Sequence, residues 1–237
     1  MMTTLFKEES HAAQGRNGAG AFPKIYVPND AADVGFGVEH FLAQGPALKL
    51  ALRQHGALLF RGCGVNSADD FEGVLDAVSF ENMPYVGGAA PRRQITHRRI
   101  MTANESPPDE KIPLHHEMAQ TSHPPDYIFF YCDTAPTLGG ATTVFDSREA
   151  FDLLKSIDAA LATQLEVEGV RYTRVMPAET DPGSPIGRSW RETFQVETKA
   201  DAERVMQDQG MRWQWLAGDE VRTESPLLPA VRHDPVS

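Results

Sequence analysis

Tyr127-Ile128-Phe129-Phe130-Tyr131 is followed by the turn Leu138-Gly139-Gly140 and then by Ala141-Thr142-Thr143-Val144-Phe145. Each outer run is short, apolar and rich in aromatic or β-branched residues, so each reads as a strand, and the paired glycines read as a tight turn between strands. A further strand is expected upstream at about Ile112 to Met118, separated by a turn at Pro124-Pro125. Further out, Ala47 to Gln54 reads as a helix stopped by Gly56, and Ala57-Leu58-Leu59-Phe60 as a buried strand. Ser67 is placed to cap a helix whose apolar face is Phe71, Val74, Leu75 and Val78. Helices are also expected over Ser147 to Leu154, Asp158 to Leu165 and Lys199 to Gln209. Short strands with inserted helices and no βαβ rhythm predict a mainly β fold. The expected architecture is a double-stranded β-helix of the jelly-roll type, not a doubly wound parallel sheet.

Between Ser79 and Pro113 the periodicity fades, and Gly87-Gly88, Pro91 and Pro107-Pro108 punctuate a long loop of the kind that forms lids or binding loops. Residues 1 to 20 are polar and Gly/Ala-rich with no apolar signal core, and read as a loose leader. Residues 21 to 237 are then expected to form a single domain, a size suited to one sizeable core.

The chain has 237 residues and a formal net charge of −11. That balance argues against a nucleic-acid or anionic-membrane partner, because phosphate binding needs a concentrated basic patch. The densest basic stretch, Arg92, Arg93, His97, Arg98 and Arg99, reads as a solvated face, with contact to a small anionic substrate as the alternative. No apolar stretch approaches the roughly 20 residues that span a bilayer. Cys63 and Cys132 make no disulfide framework, and Cys132, after an apolar run, reads as a buried free thiol; a reducing cytoplasmic setting is expected.

The chemistry lies in Leu114-His115-His116-Glu117-Met118. On a strand, residues two apart share a face, so His115 and Glu117 can direct an imidazole and a carboxylate at one point while His116 turns away. A second histidine from elsewhere would complete the 2-His-1-carboxylate set that holds non-haem Fe(II) with positions left open. By itself His-x-Glu is a weak signal. A zinc-hydrolase His-Glu-x-x-His motif is excluded, since Gln120 stands where the second histidine would be.

The wider neighbourhood resembles the taurine dioxygenase (TauD/TfdA) family of Fe(II)- and 2-oxoglutarate-dependent oxygenases. The likeness runs from about Phe22 onward through Gly56 to Gly62, Tyr85-Val86-Gly87-Gly88 with Pro91-Arg92, and Thr102-Ala103-Asn104-Glu105. It continues through Ile112 to Met118, Pro125-Asp126-Tyr127, Gly139 to Thr143, Trp190 to Phe194, and the region around Trp215. His-x-Glu followed by Met is similar to the amino-acid hydroxylases of peptide-antibiotic pathways. The resemblance implies that His115 and Glu117 match the first two iron ligands, and that Thr142 matches the threonine whose hydroxyl binds 2-oxoglutarate. It implies Fe(II) as cofactor, 2-oxoglutarate and O₂ as co-substrates, and hydroxylation of a small molecule such as an amino acid or related carboxylate. Glu117 sets the chain apart from the halogenating relatives, which lack this carboxylate.

The family's distal histidine and its 2-oxoglutarate-binding arginine lie beyond the stretch matching Pro229-Ala230-Val231. His233 aligns upstream of the distal position and is not expected to be the third ligand. The resemblance therefore implies a barrel lacking its last strands in this span. Two functions stay open: a dioxygenase in its complete form, or a non-catalytic barrel that binds a partner or regulates. Pairing with a second copy is also open.

Overall fold

The computed structural model describes residues 5–29, 37–42, 44–105, 107 and 109–233. The chain folds as two compact units, Met1–Asn82 with Tyr131–Asp152 and His233–Ser237, and Met83–Phe130 with Leu153–Arg232.

In the first unit, strands β1 (Phe6–Glu9), β4 (Lys24–Pro28) and β5 (Leu58–Phe60) form one sheet in the order β1-β4-β5. β1 runs antiparallel to β4, pairing Phe6 with Pro28, and β5 runs parallel to β4, pairing Lys24 with Leu58. A second ribbon joins β2 (Gly15–Asn17) and β3 (Gly20–Phe22). Residues 6 to 20, read as a leader, thus supply two strands and a core side chain. The physical reason is Phe6, 2% exposed, whose ring meets Phe60 at 5.1 Å, Phe41 at 5.6 Å and Tyr26 at 6.4 Å between centroids. One such aromatic cluster holds a strand that composition alone marks as loose.

Helix α1 (Gly45–His55) ends on Gly56 at φ +79, the expected stop. At the start of α1 a side chain is excluded: a Cβ on Gly45 would lie 2.2 Å from the Val78 carbonyl oxygen. Helix α2 (Ala68–Ala77) is capped by Ser67, whose hydroxyl accepts from the Asp70 N–H, and it buries Leu75. Both features are as read from the sequence.

In the second unit the sheet has the antiparallel order β6-β8-β7, from β6 (Thr173–Met176), β7 (Arg212–Trp215) and β8 (Val221–Glu224). Its core is Met176, Trp190, Phe194, Ala202, Met206 and Val221. The helices are α4 (Ala159–Glu168), α5 (Trp190–Phe194) and α6 (Lys199–Asp208), while α3 (Ser147–Ile157) starts in the first unit. Trp190 anchors α5: its indole N–H donates to the Asp219 carbonyl at 2.9 Å and its ring meets Trp215 edge-on at 5.2 Å.

The expected strands at Ile112–Met118, Tyr127–Tyr131 and Ala141–Phe145 are not formed, and the described residues close no barrel. A strand needs a partner for its N–H and C=O row, and propensity without a partner does not make one. Ile128, Phe130, Val144 and Phe145 are accordingly exposed. The glycine turn is present, with Gly139 at φ +70 and Gly140 at +69. What stands is a set of short mixed sheets with helices. Both cysteines are free; Cys63 is buried, which pushes its thiol up to about 11, whereas Cys132 is exposed, contrary to its apolar neighbourhood. Among the described residues no helix is long and apolar enough to cross a membrane.

Candidate metal centre

The site is built in the second unit on a chain that folds back over one tyrosine ring. Gly88 packs flat on Tyr85, where a Cβ would come within 2.1 Å of the ring, so only hydrogen fits. The Tyr85 hydroxyl accepts from the Ala90 N–H at 3.2 Å. The guanidinium carbons of Arg92 and Arg188 lie 4.5 and 4.9 Å from the ring centroid. Stacking on an aromatic ring suits the weakly hydrated, planar guanidinium. Arg188 is further tied to the Tyr85 carbonyl at 2.8 Å, and burial lowers its pKa.

Arg92 begins a short hairpin inside the long loop, with Gln94 bridged to Met101 and the Thr102 N–H donating to Arg93 at 2.9 Å. From this mounting its Nη2 donates to Glu117 Oε2 at 3.0 Å, with both side chains mostly buried. Arg92 therefore departs from the solvated face expected of the basic stretch, because a carboxylate of its own chain takes its charge.

His115 Nε2 lies 3.9 Å from Glu117 Oε2. The two residues lie on irregular backbone and not on the strand expected, and a turn follows them. Met118 takes a left-handed φ of +53, and both the N–H and hydroxyl of Thr121 bond to the Met118 carbonyl, at 2.9 and 2.8 Å. Gln120 fastens this turn by donating to the Gly87 carbonyl at 3.0 Å. The His115 Nδ1–H donates to the Pro113 carbonyl at 2.7 Å, which orients the ring with Nε2 on the side of Glu117. His116 is exposed.

Neutral imidazole nitrogen beside carboxylate oxygen is a donor set suited to iron. Two ligands at right angles on one metal, each about 2.1 Å from it, stand about 3 Å apart, so a modest closing of 3.9 Å would let both reach one ion. Among the described residues no three His, Cys, Asp or Glu side chains gather as a metal-holding group, so the pair has no third member there. Thr142 is an exposed residue of the first unit.

The family described as taurine catabolism dioxygenase TauD, TfdA matches residues 26–235. The chain belongs to the TauD/TfdA family. It is 41% identical over 212 residues to a clavaminate synthase-like protein of Arabidopsis thaliana, covering 90% of this chain and 64% of that protein. It is also 29% identical over 200 residues to the dapdiamide synthesis protein DdaC of Enterobacter agglomerans, covering 84% of this chain and 57% of that one. The chain thus spans less than two-thirds of the length of either TauD/TfdA relative.

Sequence reasoning missed what holds the pair. Arg92 lies 25 positions before Glu117, and nothing in the spacing joins them. The signal available was Tyr85-Val86-Gly87-Gly88, whose second glycine marks the close approach that brings Arg92 back onto its ring.

Proposed function

We propose that this chain supplies the first two iron ligands, His115 and Glu117, of an Fe(II)- and 2-oxoglutarate-dependent dioxygenase that hydroxylates a small molecule. The observation that carries the proposal is the 3.9 Å approach of His115 Nε2 to Glu117 Oε2, with Nδ1 held by the Pro113 carbonyl and Nε2 left for a metal. Membership of the TauD/TfdA family supports it. Thr142 is proposed to bind a carboxylate of 2-oxoglutarate, on the resemblance of the Gly139 to Thr143 stretch. Bound Fe(II) would supply the open positions for 2-oxoglutarate and O₂ and the oxidising power for C–H hydroxylation.

The residues of this chain have separate tasks. His115 offers a neutral nitrogen held by the Pro113 carbonyl. Glu117 offers a hard, anionic oxygen that offsets part of the metal charge, and Arg92 fixes the plane of that carboxylate. The substrate is proposed to be an amino acid or related carboxylate, in a cytoplasmic setting that suits the two free thiols.

The test is succinate formation against 2-oxoglutarate concentration, in a protein of the relatives' full length. Glu117→Ala and His115→Ala are expected to lose most of the turnover, and Thr142→Ala to weaken 2-oxoglutarate about tenfold, the loss of one bond to a charged group. Equal losses at His116→Ala and His115→Ala would show that the ligands are wrongly assigned. No turnover in the unsubstituted protein would favour the partner-binding alternative.

A further inference from the structure

Away from the ligand pair, the second unit contains a cavity of about 180 Å³. Its lining includes Arg174, Thr193, Met176, Ile186, Phe194 and Met211. Two polar atoms of lining residues, Thr193 Oγ1 and Arg174 Nε, are buried with no hydrogen-bond partner among the described residues. Thr193 is only 2% exposed, so its hydroxyl has no recourse to bulk water. Buried donors left unpaired cost about 1–3 kcal/mol each, and such groups in native proteins call for an occupant.

The guanidinium is held for this purpose. Arg174 Nη2 donates to the carbonyls of Arg188 at 2.8 Å, Ile186 at 3.2 Å and Ala89 at 3.4 Å, which holds the guanidinium in place while Nε has no partner among the described residues. Burial pushes Arg174 down to about 10, and the charge of Arg188 acts in the same direction. No Asp or Glu lines the cavity, although the chain as a whole carries −11. A cationic pocket without an acidic partner selects an anion.

Size and lining narrow the class. Drug-sized ligands occupy pockets of about 300–1,000 Å³, so 180 Å³ takes only a small molecule. There is one cation in the lining, which matches one negative charge. Met176, Ile186, Phe194 and Met211 form an apolar patch on the lining, which matches a short apolar body, beside the polar residues Gln120, Thr121, Thr173, Gln209, Thr223 and Ser225. Tyr172 and Ile186 also line the cavity and are 40% and 60% exposed, giving a way in from solvent.

We propose that this cavity is a binding site for a short aliphatic monocarboxylate, its carboxylate held by Arg174 Nε and the Thr193 hydroxyl, its chain lying against Met176, Ile186, Phe194 and Met211. The groups proposed to hold the carboxylate are not proposed iron ligands, although the lining shares Gly87, Gln120 and Thr121 with the turn beside Glu117.

The experiment is isothermal titration of the chain, free of iron and 2-oxoglutarate, with sodium isovalerate. Isovaleramide and sodium phosphate are the controls. Saturable one-to-one binding of isovalerate is expected, with isovaleramide and phosphate at least tenfold weaker. Thr193→Val keeps the shape and should weaken isovalerate at least fivefold while leaving the melting temperature unchanged or raised. Arg174→Gln should abolish binding, but it also cuts three backbone ties, so Thr193→Val carries the decision. No binding of isovalerate would mean a cavity holding water only and would overturn the proposal. So would equal binding of the amide or of phosphate, or a Thr193→Val protein that binds as the parent does.

Discussion

Asp146 in the first unit and Glu117 in the second are both mostly buried carboxylates paired to an arginine, and they are finished very differently. Asp146 is saturated. Its Oδ1 accepts from the Arg148 N–H at 3.0 Å and Nε at 2.9 Å, and its Oδ2 accepts from Arg148 Nη2 at 2.6 Å and Asn17 Nδ2 at 2.8 Å. Around it Gly56 leaves no room, since a Cβ there would lie 3.1 Å from both Asp146 Oδ2 and Arg148 Nη2. Glu117 accepts one hydrogen bond, from Arg92, on the same oxygen that faces His115, and among the described residues Oε1 accepts none. A carboxylate with every lone pair filled locks a fold. One oriented on a single side, with a histidine nitrogen beside it, is free to hold something else.

If that contrast is sound, the largest effect on stability belongs to Asp146. Asp146→Ala is expected to cost about 1–3 kcal/mol, discounted for the half-exposed guanidinium of Arg148, and a denaturant melt reads it. The hydrogen bonds from Arg148 lead the causes that hold the Asp146 pKa below the ordinary carboxylate range. The folded state thus keeps this group ionised at lower pH than the unfolded chain does. The stabilisation is complete above about pH 4, the ordinary value for the unfolded group, and is lost as pH falls through the depressed folded value. Asp146→Asn should flatten this part of the acid-stability curve, and an unchanged curve would count against the lock.

The next effect in size is at Arg92. Arg92→Gln leaves Glu117 without its orienting partner and is expected to weaken metal affinity about tenfold, the low end for a group that positions a ligand. Stability should fall less than for Asp146→Ala. The smallest effect is at His116, where His116→Ala should change neither metal affinity nor melting temperature by more than about the scatter of surface substitutions, some 0.5 kcal/mol.

The same contrast shows what the sequence could and could not disclose. Local signals carried through: Ser67 as a cap, Gly56 as a helix stop, Gly139-Gly140 as a turn, and the helices beginning near Ser147, Asp158 and Lys199. Each depends on neighbours within a turn or two. The failures depend on distant partners. β6, β7 and β8 are four residues each, too short for alternation to show, and exist because β8 lies between the other two. Tyr127–Tyr131 and Ala141–Phe145 have the composition of strands, yet among the described residues they are not part of any sheet. At the site, the approach of His115 to Glu117 was expected from their spacing, although irregular backbone and not a strand carries them. Arg92 was legible only as charge, since its partner is set by the fold around Tyr85.

The central claim is that Glu117, with His115, is a metal ligand while Asp146 is a lock. Anaerobic titration with Fe(II) of a protein of the relatives' full length, read by competition with a coloured chelator, tests it directly in the parent, Glu117→Ala and Asp146→Ala proteins. The account predicts that Glu117→Ala loses at least tenfold in affinity, and that Asp146→Ala binds as the parent does while melting earlier. Equal affinities in the parent and Glu117→Ala, or an equal loss in Asp146→Ala under conditions where it remains folded, would contradict it.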